Sequence, residues 1–137
     1  MKIGYMFPGQ GTQFVGMGKD IYGNYEEARK VYNIIDNKLG ESIEDLTFNS
    51  SEDSLNKTKN TQIAIYSMSM AILEILKSNG IMPIAAAGLS LGEYSALTCA
   101  GVMNIEDGAD IVRKRGTIMQ ELAPSGNWAM AAIIGLE

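Results

Sequence analysis

Pro83-Ile84-Ala85-Ala86-Ala87-Gly88-Leu89-Ser90-Leu91-Gly92 is the stretch whose reading decides the fold. Pro83 to Gly88 is a short apolar run, a candidate central strand of a parallel sheet. From Leu91 to about Ala100 the chain reads as a helix. Gly88-Leu89-Ser90-Leu91-Gly92 joins the two and is a G-x-S-x-G sequence. In that strand-turn-helix context the glycines leave room for a sharp turn, which lifts the serine hydroxyl clear of the sheet. The amide of Leu91, at the helix N-terminus, can then donate to a developing oxyanion. A plainer reading stands beside this one: a Gly-flanked turn in which Ser90 merely caps the helix.

Working outward, a long helix precedes the strand, from Thr61 to Asn79, and Gly80 ends it. Its apolar residues, among them Ile63, Ile65, Tyr66, Met70, Leu73 and Leu76, cover most of its circumference, so it is expected to be buried on several sides. Its methionines read as core filler. Residues 41–60 are polar, with short helical turns at most. Ala28, Val31, Tyr32, Ile35 and Leu39 follow the helical period and predict a helix from about Tyr25 to Leu39. Asn24 is its candidate N-cap, Glu27 the partner in a capping-box-like pair, and Gly40 the stop. Residues 2–7 read as a short buried strand stopped by Pro8-Gly9, and Gly9 to Gly18 as an irregular loop. Beyond the central stretch, Asn104 caps a helix from Ile105 to Leu122, which Pro124 closes. Ala129 to Ile134 is a third apolar run, read as a strand. Strands alternating with helices in this way predict an α/β fold with a mainly parallel sheet.

Composition narrows the function. The 137 residues are 46% hydrophobic and 20% charged, enough for a real core. A net charge of −5, with 11 Lys and Arg scattered along the chain, argues against nucleic-acid binding. Cys99 is the one cysteine and there is no histidine, which excludes a disulfide framework and a structural zinc site. Cys99 lies among Ala96, Leu97 and Ala100 and reads as a small core residue. The start of the chain has an apolar run too short for a signal peptide, and no segment is apolar and long enough to span a bilayer. A cytoplasmic protein that does not engage membranes is expected.

Two further features bear on chemistry. On the helix of residues 105–122, Ile111, Val112, Ile118, Met119 and Leu122 fall on one stripe, and Arg115 falls inside it. A charge on an apolar face must reach solvent, pair, or hold something anionic. A guanidinium fork is well shaped for a substrate carboxylate. Gly9-Gln10-Gly11-Thr12-Gln13 follows the first strand. It is neither a P-loop nor a G-x-G-x-x-G loop. Such a loop at a strand's carboxyl end is still where α/β sheets bind ligands, and its amides could complete an oxyanion hole; a flexible turn is the alternative. Glu106, Asp107 and Asp110 sit in the first turns of their helix and complement its dipole.

Taken together these pieces resemble the malonyl-CoA:acyl carrier protein transacylases of bacterial fatty-acid and polyketide synthesis. Phe7-Pro8-Gly9-Gln10-Gly11-Thr12-Gln13 resembles that family's opening FPGQG motif. Leu55-Asn56-Lys57-Thr58 with Thr61-Gln62 resembles its middle segment, and Gly88 to Leu97 its GHSLGEYSAL signature. Arg115-Gly116 resembles its Arg-Gly pair, and Ala129-Met130-Ala131-Ala132 the entry to its small subdomain.

The resemblance implies an α/β-hydrolase-like large subdomain over residues 1–126, and the beginning of a ferredoxin-like small subdomain over 127–137. It implies that Ser90 takes a malonyl group from coenzyme A and passes it to the phosphopantetheine thiol of acyl carrier protein, by ping-pong covalent catalysis. Gln10 and Leu91 would supply the oxyanion amides, Arg115 would hold the malonyl carboxylate, and Gln62 would line the pocket. No metal or prosthetic group is implied. Two departures stand out. The family's His before the nucleophile is Leu89 here, and its catalytic His lies downstream of every residue in this sequence. A serine hydroxyl is a weak nucleophile without a base, so the 137 residues alone are expected to be inactive or nearly so, the N-terminal part of a longer enzyme that works with a missing C-terminal part. Two other readings remain: a serine esterase or thioesterase fragment, which has no use for a cation at Arg115, and a non-catalytic fragment that binds acyl carrier protein or a complementing chain. For the last, Lys57, Lys59, Arg113 and Lys114 could meet an acidic partner, or be plain solvated charge.

Overall fold

In a computed structural model, which describes residues 2–122 and 135, two parallel strands lie side by side. Strand β1 is Gly4–Phe7 and strand β2 is Ala85–Gly88, in register from Gly4 opposite Ala85 to Phe7 opposite Gly88. Between them run helices α1 (Lys19–Asn24), α2 (Glu26–Leu39), α3 (Ile43–Phe48), α4 (Glu52–Leu55) and α5 (Thr58–Ser78). After β2 come α6 (Gly92–Cys99) and α7 (Ile105–Leu122). The α/β layout with a parallel sheet and flanking helices is as expected. The expected third strand, all but one residue of the small subdomain (127–137), and the boundary at residue 126 lie outside the described residues.

Helix α5 is the spine, with its most extensive packing against α7 and α2. Ile63, Ala64, Tyr66, Met70 and Leu73 are fully buried along it, in keeping with its all-round apolar pattern. Burying each large apolar side chain contributes about 1.5–3 kcal/mol, so this helix carries much of the core. It starts at Thr58, one turn earlier than expected. Its N-cap, Lys57, makes no side-chain cap bond, so no capping residue marks the true start.

Helix α2 buries Ala28, Val31, Tyr32 and Ile35, the face its periodicity marks. Its start differs from expectation. Asn24 is the last residue of α1, and its Nδ2 donates to the Asp20 carbonyl at 2.7 Å. The N-cap of α2 is Tyr25, in extended backbone and without a side-chain cap bond, and no capping box with Glu27 forms. A six-residue helix begun by a glycine leaves no periodic or capping signal, so α1 was illegible in the sequence. Gly40 does end α2, in the left-handed region at φ 67°. The polar segment 41–60 holds α3 and α4, capped by Ser42 and Ser51, whose hydroxyls accept from Asp45 N and Ser54 N, each at 3.2 Å.

Asn104 caps α7 as expected, its Oδ1 accepting from Asp107 N at 2.7 Å. Asn104→Ala is expected to cost about 1 kcal/mol by denaturant unfolding, and Asn104→Asp little, because a carboxylate caps as well and suits the helix dipole.

The packing face of α7 is not the expected stripe. Gly108, Ala109, Val112 and Gly116 are buried, whereas Ile111, Ile118 and Leu122 are exposed among the described residues. The physical reason is proximity: small residues let α7 approach α5 and α6. A Cβ on Gly116 would come within 2.8 Å of Lys59 Cα, and one on Gly108 within 2.0 Å of Tyr66 Oη. Arg115 therefore lies beside the contact with α5, at its edge, rather than in the middle of an apolar face.

Candidate active site

The elbow is built by backbone crowding. Gly88 and Gly92 face each other so closely that a Cβ on Gly88 would lie 2.0 Å from the Gly92 carbonyl. A Cβ on Gly92 would lie 2.2 Å from the Phe7 carbonyl oxygen at the end of β1. Only hydrogen fits at both positions. Between them Ser90 takes φ 52°, the one non-glycine residue with positive φ among those described. That conformation costs of order 1–3 kcal/mol and holds because the surrounding chain enforces it. It is a sharp strand-turn-helix elbow of the kind that lifts a serine hydroxyl clear of a sheet.

Ser90 does not cap the helix. The N-cap position falls on Leu91, with no side-chain cap bond, and the Ser90 hydroxyl points elsewhere. It accepts a hydrogen bond from Arg115 Nη2 at 3.0 Å. The nucleophile candidate and the cation candidate, 25 residues apart, are thus brought into direct contact.

Arg115 is placed there by Gly116. The close crossing of α7 over the first turn of α5 sets Arg115 beside Gln62, and Nη1 donates to Gln62 Oε1 at 2.7 Å. Gln62 is fully buried. Its Nε2 lies 3.4 Å from Gln10 Oε1 and 3.3 Å from Met119 Sδ. Gln62 is therefore the junction between the cation and the Gln10 loop. A guanidinium has five N–H donors, and two are engaged here, leaving three for a ligand. Arg115 forms no ion pair among the described residues. A half-buried guanidinium held only by neutral oxygens keeps its charge available for an anion.

The Gly9–Gln13 loop is fastened rather than loose. Gly11 N donates to Gln13 Oε1 at 2.8 Å, Thr12 Oγ1 to the Gly9 carbonyl at 3.1 Å, and Gln13 Nε2 to Asn56 Oδ1 at 2.8 Å. Gln10 Nε2 reaches Thr58 Oγ1 at 3.4 Å. The loop abuts the elbow: Leu89 N donates to the Phe7 carbonyl at 3.2 Å, and a Cβ on Gly9 would meet the Leu89 carbonyl oxygen at 2.8 Å. Neither the Leu91 amide nor the Gln10 amide donates to a backbone acceptor among the described residues.

Tyr94 was missed in the sequence. The Arg115 guanidinium carbon lies 5.4 Å from the centroid of its ring. The sequence carried no periodic signal for it: α6 begins at Gly92, so Ser90, at φ 52°, lies outside the helix and the four-residue spacing does not put the two on one helix face.

Other features stand apart from this cluster. A groove of about 370 Å³ between β1 and α5, lined by Tyr5, Phe14, Met68 and Leu76 among others, contains none of Ser90, Arg115 or Gln62. Arg113, a candidate for meeting an acidic partner, is spent internally: it pairs with Glu41 and donates from Nη1 to the Lys59 carbonyl at 2.8 Å and Asn60 Oδ1 at 3.0 Å. Burial pushes the Cys99 thiol up, as suits a small residue packed against the core. Among the described residues no three His, Cys, Asp or Glu side chains cluster as metal ligands, and no helix is long and apolar enough to cross a membrane.

An elbow serine at positive φ, two amides without a backbone acceptor and an arginine on the serine hydroxyl thus lie together, and the chain belongs to the acyl transferase domain family, whose model matches residues 4–135. Within that family it is similar to malonyl CoA-acyl carrier protein transacylases. It is 44% identical over 136 residues to the one from Bacillus subtilis, a match covering 99% of this chain and 43% of that protein. The crystal structure of malonyl CoA-acyl carrier protein transacylase from Clostridium perfringens superposes with a TM-score of 0.87 at 48% identity, over 92% of this chain and 40% of that one. A malonyl-transacylase in complex with a type II PKS acyl-carrier protein gives a TM-score of 0.87 at 37% identity, over 92% and 41%. The chain thus spans less than half the length of the curated relatives it matches.

Proposed function

We propose that these residues are the nucleophile-bearing part of a cytoplasmic malonyl-CoA:acyl carrier protein transacylase. The observation that carries the reading is the 3.0 Å hydrogen bond between Arg115 and Ser90, from a guanidinium without a carboxylate partner among the described residues. A carboxylate one carbon beyond a thioester carbonyl suits that juxtaposition: the acid end meets Arg115 while the carbonyl meets Ser90.

Ser90 Oγ attacks the thioester carbonyl, and the oxygen–carbon bond forms as the carbonyl electrons move onto oxygen. The Leu91 and Gln10 amides donate to that oxyanion. Its collapse breaks the carbon–sulfur bond, and coenzyme A leaves as the thiol, taking the proton that Ser90 gave up. The phosphopantetheine thiol of acyl carrier protein then repeats the sequence in reverse on the malonyl ester. Something must hold Ser90's proton in between. The sequence contains no histidine, and the described site brings no carboxylate or amine to the Ser90 hydroxyl. The 137 residues by themselves are therefore catalytically incomplete, and full turnover by this chain alone would overturn that conclusion.

The test of the anchor uses the complete gene product. Arg115→Ala is expected to lower kcat/KM for malonyl-CoA about 10- to 100-fold, since a hydrogen bond to a charged group contributes about 1.5–3 kcal/mol. Acetyl-CoA, which lacks the carboxylate, should lose far less. An esterase or thioesterase would show no such split, and unchanged malonyl loading would sink the carboxylate-anchor role.

A further inference from the structure

We infer that Tyr94 is a positioning residue for malonyl selectivity: its ring holds the Arg115 guanidinium in the orientation that receives the carboxylate. The inference rests on the proposed role of Arg115.

The geometry supplies three fixed points around one cation. Gln62 Oε1 takes Nη1 at 2.7 Å and Ser90 Oγ takes Nη2 at 3.0 Å. The Tyr94 ring lies 5.4 Å from the guanidinium carbon, within the range of a cation–π contact. The first two points fix the nitrogens. They leave the guanidinium plane free to swing about the line between the two nitrogens, and a flat ring against the group limits that swing. A carboxylate needs two parallel N–H donors, so tilting the plane weakens its binding even when the charge stays in place.

The Ser90 bond is also temporary, because Oγ becomes an ester oxygen on loading and is then a poorer acceptor. Gln62 and Tyr94 are left to hold Arg115 while the malonyl group is attached. The placement follows from the helix. Tyr94 is the third residue of α6, which starts two residues after Ser90, and its half-buried side chain packs against the core, so its ring has little freedom of its own. Nothing on the ring touches the thioester chemistry in this account, so Tyr94 acts through Arg115 alone.

The experiment compares loading of the complete gene product from malonyl-CoA and acetyl-CoA as separate kcat/KM values. Tyr94→Leu is expected to lower the malonyl-to-acetyl ratio about 10-fold, which corresponds to about 1.4 kcal/mol, with Tyr94→Phe restoring most of it. Ring-fluorinated phenylalanines at position 94 provide the readout a structural role would not move. They keep the ring's shape and weaken its negative face, so the ratio should fall step by step with fluorine number. This series also serves if Tyr94→Leu does not fold. A malonyl-to-acetyl ratio flat across the fluorinated series, or equal losses for both substrates in Tyr94→Leu, would overturn the inference while leaving Arg115 as anchor. Wild-type protein that loads acetyl as readily as malonyl would overturn the anchor role and this inference together.

Discussion

Ser90→Ala should abolish formation of a malonyl ester, lowering acylation by at least about a thousandfold, or roughly 4 kcal/mol of transition-state stabilisation. In the proposed mechanism this residue carries the oxygen that becomes covalently bound, and no neighbouring group replaces it: the side chains that touch it or its cation are an arginine, a glutamine and a tyrosine. Mass spectrometry of the peptide containing residue 90, after brief exposure of the complete gene product to malonyl-CoA, reads the result. A label of equal yield in Ser90→Ala would remove Ser90 as nucleophile. Ser90→Gly separates chemistry from stability at the same position. The native φ of 52° is strained for serine and easy for glycine, so this variant should be equally unable to form the ester yet no less stable to denaturant, with a gain of up to about 1 kcal/mol. A residue that costs the fold free energy at an exposed turn is best understood through its reactivity.

Gly92→Ala is expected to cost about 3 kcal/mol or more. The added Cβ would meet the Phe7 carbonyl oxygen at 2.2 Å, and the Phe7 carbonyl carbon and Pro8 carbonyl oxygen at 2.8 Å. All three are backbone atoms, so no rotamer change relieves the clash. Strand β1 or helix α6 must shift, and the cost lies at or beyond the upper end for overpacking. Against a total stability of about 5–15 kcal/mol, that is a large share. The same displacement would move Leu91 N and Ser90 relative to the Gly9–Gln13 loop, so acylation should fall with stability. Gly23→Ala is the control. Nothing lies within 4 Å of its Cβ position and its φ is not positive, so the change should be neutral or stabilising by up to about 1 kcal/mol. If Gly92→Ala left the denaturant midpoint where Gly23→Ala leaves it, the close crossing of elbow and β1 would be wrong.

Several elements were legible because their signal is local. The period-3.6 apolar residues of α2 and α5, the glycine stops after both helices, and the Asn104 cap depend on neighbours within a turn or two, and they appear with boundaries shifted by at most three residues. What failed also failed locally. Asn24 looks like a cap and is not, because α1, too short to show a period, claims it first. The apolar stripe on α7 pointed to the right arginine for the wrong reason. Ile111, Ile118 and Leu122 are exposed, and the helix packs through glycine and alanine, whose small size carries no hydropathy signal.

By itself, the sequence determined the elbow. Five residues between an apolar run and a helix specify a sharp turn, since glycine at 88 and 92 and a serine between them are demands of backbone geometry at that spot. The tertiary structure alone decided what surrounds the serine. Gln62, Tyr94 and Arg115 lie on three different helices, and their meeting depends on how closely α7 crosses α5 at Gly116 and on which way α6 leaves the elbow. Those are packing distances between elements far apart in the chain, and periodicity, which reports one element at a time, carries no information about them.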